Sequence, residues 1–210
     1  KTFKEYNIRD VEVERDIRKK LDRFETIEAE KELYALDQKI NDRGVLIDLD
    51  MAENAISIDV EQTERLTRIY QEVTGLENPN SLTDIKKYIR TKTSKEVKSI
   101  TKNNLDKLQE EFRNYPDIVT ALEVRQALSK TSISKYKKMI ESACRDSRVR
   151  GTLQFYGAGT GRWAGRLIQV QNLPQNHISD LDTARNVVKY GDLELLEITY
   201  DNPSDILSQC

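Results

Sequence analysis

The sequence predicts a mainly α-helical chain with a small α+β part at its C-terminal end. Three observations predict it. Apolar residues recur at helical spacing through most of residues 10–144. From Val149 the texture changes, with four glycines between 157 and 165 and short alternating runs in place of helical periodicity. Hydrophobic residues make up 37% and charged residues 33% of 210, which suits a real core clothed in charged helix faces. No apolar run approaches the roughly 20 residues of a membrane span, and no apolar targeting stretch opens the chain.

Residues 10–41 predict one long helix, with Ile17, Leu21 and Phe24, then Leu33, Leu36 and Ile40, on its apolar face. Gly44 offers a left-handed cap to end it. VLIDL at 45–49 reads as an extended link or a brief strand. Residues 51–73 predict a second helix, with Ala55, Ile58, Gln62, Leu66, Ile69 and Val73 on one face. GLENPN at 75–80 is a turn, and Ser81 caps a short helix through Ile89. Thr101 opens another helix through Phe112. Pro116 suits the first turn of a helix running to about Cys144. TLQFYG alternates like a strand, and LIQVQNLP at 167–174 reads as extended and stopped by proline. Helical texture resumes at 180–199, with Asp180 and Asp182 as capping residues. Asn202-Pro203 then starts a final helix. Both termini look cut, so the sequence reads as a piece of a longer chain.

A formal net charge of -2 hides strong segregation. Residues 1–80 carry 13 basic and 20 acidic side chains, whereas 81–109 carry 8 basic and 3 acidic. Residues 125–166 carry 10 basic and 2 acidic, and 167–210 are net -5. Two basic blocks between acidic flanks form a candidate footprint for a polyanion. Solvated helix faces would give the first block equally well. Arg145, Arg148, Arg150, Arg162 and Arg166 make the second harder to dismiss.

Several chemistries are excluded. Two cysteines rule out a disulfide scaffold, and one histidine rules out a multi-histidine metal site. His177 sits in a polar loop and reads as a surface residue. YGAGTGRWAGR lacks both the GK[ST] ending of a Walker A loop and the G-x-G-x-x-G spacing. Its glycines instead permit close backbone approach or positive φ. Arg162 and Arg166 flank Trp163 and cluster locally. Gln169 and Gln171 would share one face of an extended strand. Guanidinium and amide groups read groove edges, whereas helix lysines mostly hold phosphates. On these residues alone, nucleic-acid binding and an ordinary structural role stand about even.

TGRWAGRLIQVQNLP at 160–174 resembles the motif that opens the palm in family A DNA polymerases, the bacterial polymerase I group. The preceding YGA and the WAGR within resemble the phage and prophage branch. YALDQKINDRGVLIDLD at 34–50 resembles the lead into the thumb, NPNSLTDIKKYI at 78–89 its asparagine-proline-serine element, and ALEVRQALSKTSISKYKKM at 121–139 its long helix and lysine- and serine-rich turn. LDTARNVVKYGDLELLEITYDNPSDILSQ at 181–209 resembles a phage-type insert before the first catalytic carboxylate. The resemblance covers nearly the whole chain in order. It implies the end of a proofreading exonuclease domain and a linking helix at 1–29. A helical thumb follows at 30–148, then the first palm strands at 149–210, short of the first catalytic aspartate.

The same resemblance implies roles. Tyr6 and Asp10 match the tyrosine and aspartate of the third exonuclease motif and would be vestigial here. Lys86, Lys87, Arg90, Lys92, Lys95, Lys98 and Lys102 would hold the DNA backbone near the thumb tip. Lys130, Ser132, Ser134, Lys135 and Tyr136, with Ser129 and Thr131, would form a second backbone contact, joined by Arg166. Arg162 matches the arginine that reaches the minor groove at the primer terminus. Gln171 and Asn172 match template-strand and minor-groove contacts, with Gln169 as helper. Trp163 is as suited to packing as to touching DNA. The implied partner is a primer–template duplex, with deoxynucleoside triphosphates and two magnesium ions only in the full-length enzyme. This stretch would be inactive alone, hold no metal or cofactor, touch no membrane and reside in the cytoplasm. Two rivals are a non-catalytic helical nucleic-acid-binding protein and a helical structural or interaction module.

Overall fold

Two helices form where the sequence predicts one. In the computed structural model, which describes residues 2–24, 26–101, 104–128, 133–173, 175–200 and 202–210, α1 (Phe3–Leu21) and α2 (Glu28–Arg43) are separate. Arg18, Lys19 and Lys20 favour the carboxyl end of α1, and Ile27 is extended where α2 begins. Helix α1 opens on a capping box: Glu5 N donates to Thr2 Oγ1 at 3.4 Å, and Thr2 N donates to Glu5 Oε2 at 3.0 Å. None of its residues is buried.

The inward face of α2 also differs from expectation. Leu33 and Leu36 are exposed, and Asp37 is the buried residue of this helix. Glu30, Tyr34 and Asn41 reach the C-terminal hairpin instead, and Asp37 lies on the same face, spaced 4-3-4 with them, and accepts from Asn41. The reason is chemical. The surface that α2 meets offers backbone polar groups and aromatic rings rather than an aliphatic floor.

Gly44 ends α2 with φ of 68°, and a side chain there would collide with the Val149 carbonyl. That close approach lets β1 (Val45–Leu46) pair antiparallel with β2 (Arg148–Val149), in register Val45↔Val149 and Leu46↔Arg148. The chain between them leaves and returns at one point as a helical arm. The arm holds α3 (Leu49–Thr74), α4 (Leu82–Thr93), α5 (Leu105–Glu111), α6 (Pro116–Leu128) and α7 (Ser134–Ser142). Local signals explain the starts. Met51 N donates to Asp48 Oδ1, Asp84 N to Ser81 Oγ, and Pro116 occupies the first position of α6. The long helix expected over 116–144 is thus two helices with an undescribed stretch between them.

Helix α3 has 26 residues, a length of about 39 Å, and joins two cores. Near its start, Ala52, Ala55 and Ile58 pack on α8 (Leu181–Tyr190), α9 (Leu193–Thr199) and α10 (Pro203–Gln209) through Ala184, Val188, Leu196 and Leu207. The two alanines let α8 lie close. At its far end, Tyr70 packs with Ile85, Ile89, Phe112, Ile118 and Leu122 to form the tip of the arm. A smaller cluster of Ile47, Val149 and Ile168 sits at the β1–β2 base.

After β2, a hairpin forms from β3 (Leu153–Gln154) and β4 (Ala164–Gly165), paired Leu153↔Gly165 and Gln154↔Ala164. Both two-stranded sheets are open. Residues 167–173 are not the expected extended run. Leu167 and Gln169 take positive φ of 56° and 43°, and Val170–Asn172 is a single 3-10 turn. Gln169 N donates to Arg166 O and Asn172 N to Gln169 O, so the segment folds on itself instead of joining a ladder. Asp180 and Asp182 precede and open α8 without a side-chain cap. Asp180 accepts from the Tyr200 hydroxyl, and Asp182 lies 3.9 Å from Arg185. The Asn202 cap of α10 is present, Asp205 N donating to its Oδ1.

Candidate nucleic-acid interface

The base of the arm and the folded 167–173 segment enclose a cleft of about 440 Å³ lined by Ser134, Lys135, Lys138, Leu167, Ile168, Gln169, Asn172 and Leu173. Two groups far apart in sequence meet here: Ser134 and Lys135 from the start of α7, and Gln169 and Asn172 from the 3-10 turn. Asn172 Nδ2 donates to Gln169 Oε1 at 2.7 Å, which fixes the pair as one polar patch. Gln171 points elsewhere, its amide lying against the α-carbon of Gly165, where a β-carbon would collide with it. The expected shared face of Gln169 and Gln171 is therefore absent.

Within α7 the assigned residues divide. Ser134 borders the cleft and is exposed. Lys135 is half-buried; its Nζ donates to Ser208 O at 2.8 Å, and burial holds its ammonium below the usual lysine range. Tyr136 is 2% exposed, and its hydroxyl donates to Leu207 O at 2.8 Å. Burial pushes that hydroxyl's pKa up. Its place is in the core, so the structure corrects its expected backbone contact. Lys138, one helical turn from Lys135, supplies an exposed cation that the sequence reading missed. The i, i+3 spacing from Lys135 was the available signal. Lys130 and Ser132, with Ser129 and Thr131, lie outside the described residues.

The hairpin carries Arg162, Trp163 and Arg166. Arg162 is exposed, and Ala158 N donates to its carbonyl at 3.2 Å. Arg166 N donates to Thr152 O at 2.8 Å, and its guanidinium donates to Gln154 across the hairpin. Gly157 is required here, since a side chain would strike Ala164 and the Gln154 carbonyl. Trp163 stacks edge-on to Phe155 at 6.1 Å, and Phe155 meets Tyr34 of α2 at 5.6 Å. Trp163 thus packs within the hairpin, on the ring that meets α2.

Two other arginines of the second basic block are structural. Arg148 donates to the Arg43 and Gly44 carbonyls, and Arg150 Nε donates to Asp42 O at 2.9 Å. They satisfy the open carbonyls at the end of α2. Arg150 also grips Asp146 with two bonds of 2.9 and 2.6 Å, which hold that carboxyl down at about 2.

At the tip, Lys87, Arg90 and Lys98 are exposed and make no ion pair among the described residues. The rest are engaged. Lys86 Nζ donates to Lys98 O at 2.8 Å. Lys92 sits 3.2 Å from Asp117 and over the Tyr88 ring, and Lys95 sits 2.8 Å from Glu111. The Tyr88 hydroxyl donates to Asp117 at 2.5 Å; with Lys92 beside it, this holds the Asp117 carboxyl below its usual value. Lys102 lies outside the described residues. Exposed pairs of this kind contribute little to stability and exchange readily for phosphate.

Tyr6 and Asp10 lie one turn apart on solvent-exposed α1. Among the described residues, no group of three or more His, Cys, Asp or Glu side chains could hold a metal ion. The described residues therefore do not fit a magnesium pair. His177 is exposed in its loop. No described helix is long and apolar enough to cross a membrane.

A helical arm that leaves and returns at a small open sheet, followed by a glycine hairpin, has the form of a thumb-to-palm transition. Over 212 aligned residues, 99% of this chain, it is 49% identical to the DNA polymerase of Bacillus phage SP02. The chain is thus related to part of a phage DNA polymerase, in keeping with its family A resemblance, and spans about a third (32%) of that protein's length. No protein-family model matches the chain. No solved structure matches it.

Proposed function

We propose that this chain is the duplex-holding part of a family A DNA polymerase. The 49% identity to a phage DNA polymerase over nearly the whole chain carries the reading. In it, residues 30–148 act as thumb and 149–210 as the opening of the palm. Lys87, Arg90 and Lys98 hold phosphates at the tip, and Ser134, Lys135 and Lys138 hold them at the base. Arg162 enters the minor groove at the primer terminus, where purine N3 and pyrimidine O2 accept at similar positions in every correct pair. Gln169 and Asn172 contact the template side from the cleft, Gln171 does so from its separate place beside Gly165, and Arg166 contacts a backbone phosphate. Nucleotidyl transfer, its triphosphate substrate and its two magnesium ions belong to the full-length enzyme. This stretch alone is inactive, and Tyr6 and Asp10 are vestigial.

Phosphate contact predicts a salt-dependent affinity, since each neutralised phosphate releases counterions. Fluorescence anisotropy with a primer–template duplex at several salt concentrations tests this. Weak binding that falls steeply with salt is expected; no binding at low salt, or binding indifferent to salt, overturns it. One observation favours a second reading for the N-terminal segment. Helix α1 exposes Phe3, Tyr6, Val13, Ile17 and Leu21, with none of its residues buried, which suits contact with another protein surface.

A further inference from the structure

We propose that Asn41 and Asp37 are a positioning pair that sets the register of the Arg162 hairpin. Strand β3 pairs with β4 on one edge only, which leaves the main-chain groups of Leu153 open on the other. The Asn41 side chain occupies that edge as a further strand would. Leu153 N donates to Asn41 Oδ1 at 3.0 Å, and Asn41 Nδ2 donates to Leu153 O at 2.9 Å. One amide thereby satisfies both polar groups of one residue 112 positions away.

An amide can sit in two orientations, and the wrong one sets donor against donor and acceptor against acceptor. Asp37 removes the ambiguity. It lies one turn before Asn41 on α2, and Asn41 Nδ2 donates its second hydrogen to Asp37 Oδ2 at 3.1 Å. A flipped amide would face carboxylate oxygen with carbonyl oxygen. Asp37 is 2% exposed, Gln38 Nε2 donates to the same Oδ2, and Oδ1 has no partner among the described residues. Burying a carboxylate with one oxygen unmatched costs stability, and an apolar residue would fill the position more cheaply. Packing alone therefore does not account for Asp37, whereas aiming the Asn41 amide does.

The pair acts at the right place. Thr152 and Gln154, the neighbours of Leu153, bond to Arg166 through backbone and side chain. Gln154 is also in register with Ala164, two residues from Arg162. Tyr34, toward Phe155, and Glu30, toward the Tyr156 hydroxyl, extend the same α2 face along the hairpin. A shift at Leu153 moves both arginines together. That the shift alters duplex binding rests on the function proposed above.

The hairpin contains Trp163, the one tryptophan of the chain, so its fluorescence reports on the hairpin directly. The test compares the 210-residue protein with Asn41→Ala, Asn41→Asp and the Asp37→Asn, Asn41→Asp double variant. Asn41→Ala should raise acrylamide quenching of Trp163 about twofold and speed Leu153 amide exchange at least about tenfold, consistent with loss of more than 1.4 kcal/mol of local protection. Asn41→Asp should do the same, because two carboxylates then face each other. The double variant restores a donor–acceptor match between positions 37 and 41 and keeps the acceptor for Leu153 N, but leaves Leu153 O without its donor, so it should recover part of the Leu153 protection that Asn41→Asp loses. A role in general packing predicts no such rescue. Unchanged quenching and exchange in both single variants, or no recovery in the double variant, overturns the proposal. If Asn41→Ala fails to fold, the Asn41→Asp pair of proteins decides it. Duplex affinity measured on the same proteins separates the two claims. A loosened hairpin with undiminished affinity supports the positioning pair and overturns duplex contact by Arg162.

Discussion

The tip and the base of the helical arm both carry lysines, and they hold them differently. At the tip, Lys87, Arg90 and Lys98 stand in solvent above a closed apolar core, and Lys92 and Lys95 make exposed pairs that phosphate can displace. At the base, Lys135 bonds to Ser208 O, Tyr136 is buried, and the polar groups of the cleft come from segments that meet only in three dimensions. A tip of this kind suits attraction of any polyanion. The base suits placement, because its donors and acceptors are held by backbone geometry. A protein that grips a duplex without reading its sequence needs both.

The sharpest break in the comparison separates the two cores. Phe112→Ala should cost about 3–5 kcal/mol, and Leu196→Ala about 2–5 kcal/mol. Because α3 alone spans both cores, Phe112→Ala should open amides of α4–α6 while those of α8–α10 stay protected. Urea unfolding with hydrogen exchange reads this, and uniform loss of protection would show one cooperative unit.

Next comes duplex binding. Arg162→Ala should weaken primer–template affinity by about 1–3 kcal/mol and change the salt slope by at most about one, as for a base-edge contact. Removing Lys87, Arg90 and Lys98 together should lower the slope by about two to three. In the full-length polymerase, Arg162→Ala should impair extension and mismatch discrimination far more than Lys92→Ala. Equal, small effects would erase the distinction between placement and attraction.

Gly157→Ala should cost about 1–3 kcal/mol, since its β-carbon meets Ala164 and the Gln154 carbonyl. Trp163 fluorescence and thermal unfolding would report it, and an unchanged melting temperature would count against the hairpin geometry.

The smallest effect is electrostatic. Hydrogen bonding from Tyr88, then Lys92, depresses the Asp117 carboxyl in the folded state. Its contribution is therefore present above the unfolded carboxylate value and lost as pH falls through the lower folded value. Asp117→Asn should flatten the pH dependence of stability below about pH 4, by about 1 kcal/mol or less because Lys92 is exposed and Asp117 only partly shielded from solvent. A parallel, undiminished slope in urea titrations would show that other carboxylates carry it.

Much of this was legible in the sequence because it is local. Caps at Ser81 and Asn202, the stop at Gly44, the Pro116 start and the segregated charge all act within a few residues. Regions that depend on distant partners were not. The inward face of α2 holds Asp37 and Asn41 rather than Leu33 and Leu36, because its partner is the backbone of Leu153. LIQVQNLP at 167–174 reads as extended, yet residues 167–173 find no ladder and turn at Leu167 and Gln169. Arg148 and Arg150 counted toward a basic footprint, but they cap the carbonyls of α2. Tyr136 fell within a lysine- and serine-rich turn, but its ring faces inward from α7. Charge shows how many cations there are; only packing shows which remain free.

Hydrogen-exchange mass spectrometry of the chain with and without a primer–template duplex tests the central claim most directly. The account predicts added protection at two separated places, around Lys87–Lys98 at the tip and around Ser134–Lys138 with residues 162–172 at the base. Protection confined to α1, or absent from both places, would contradict it.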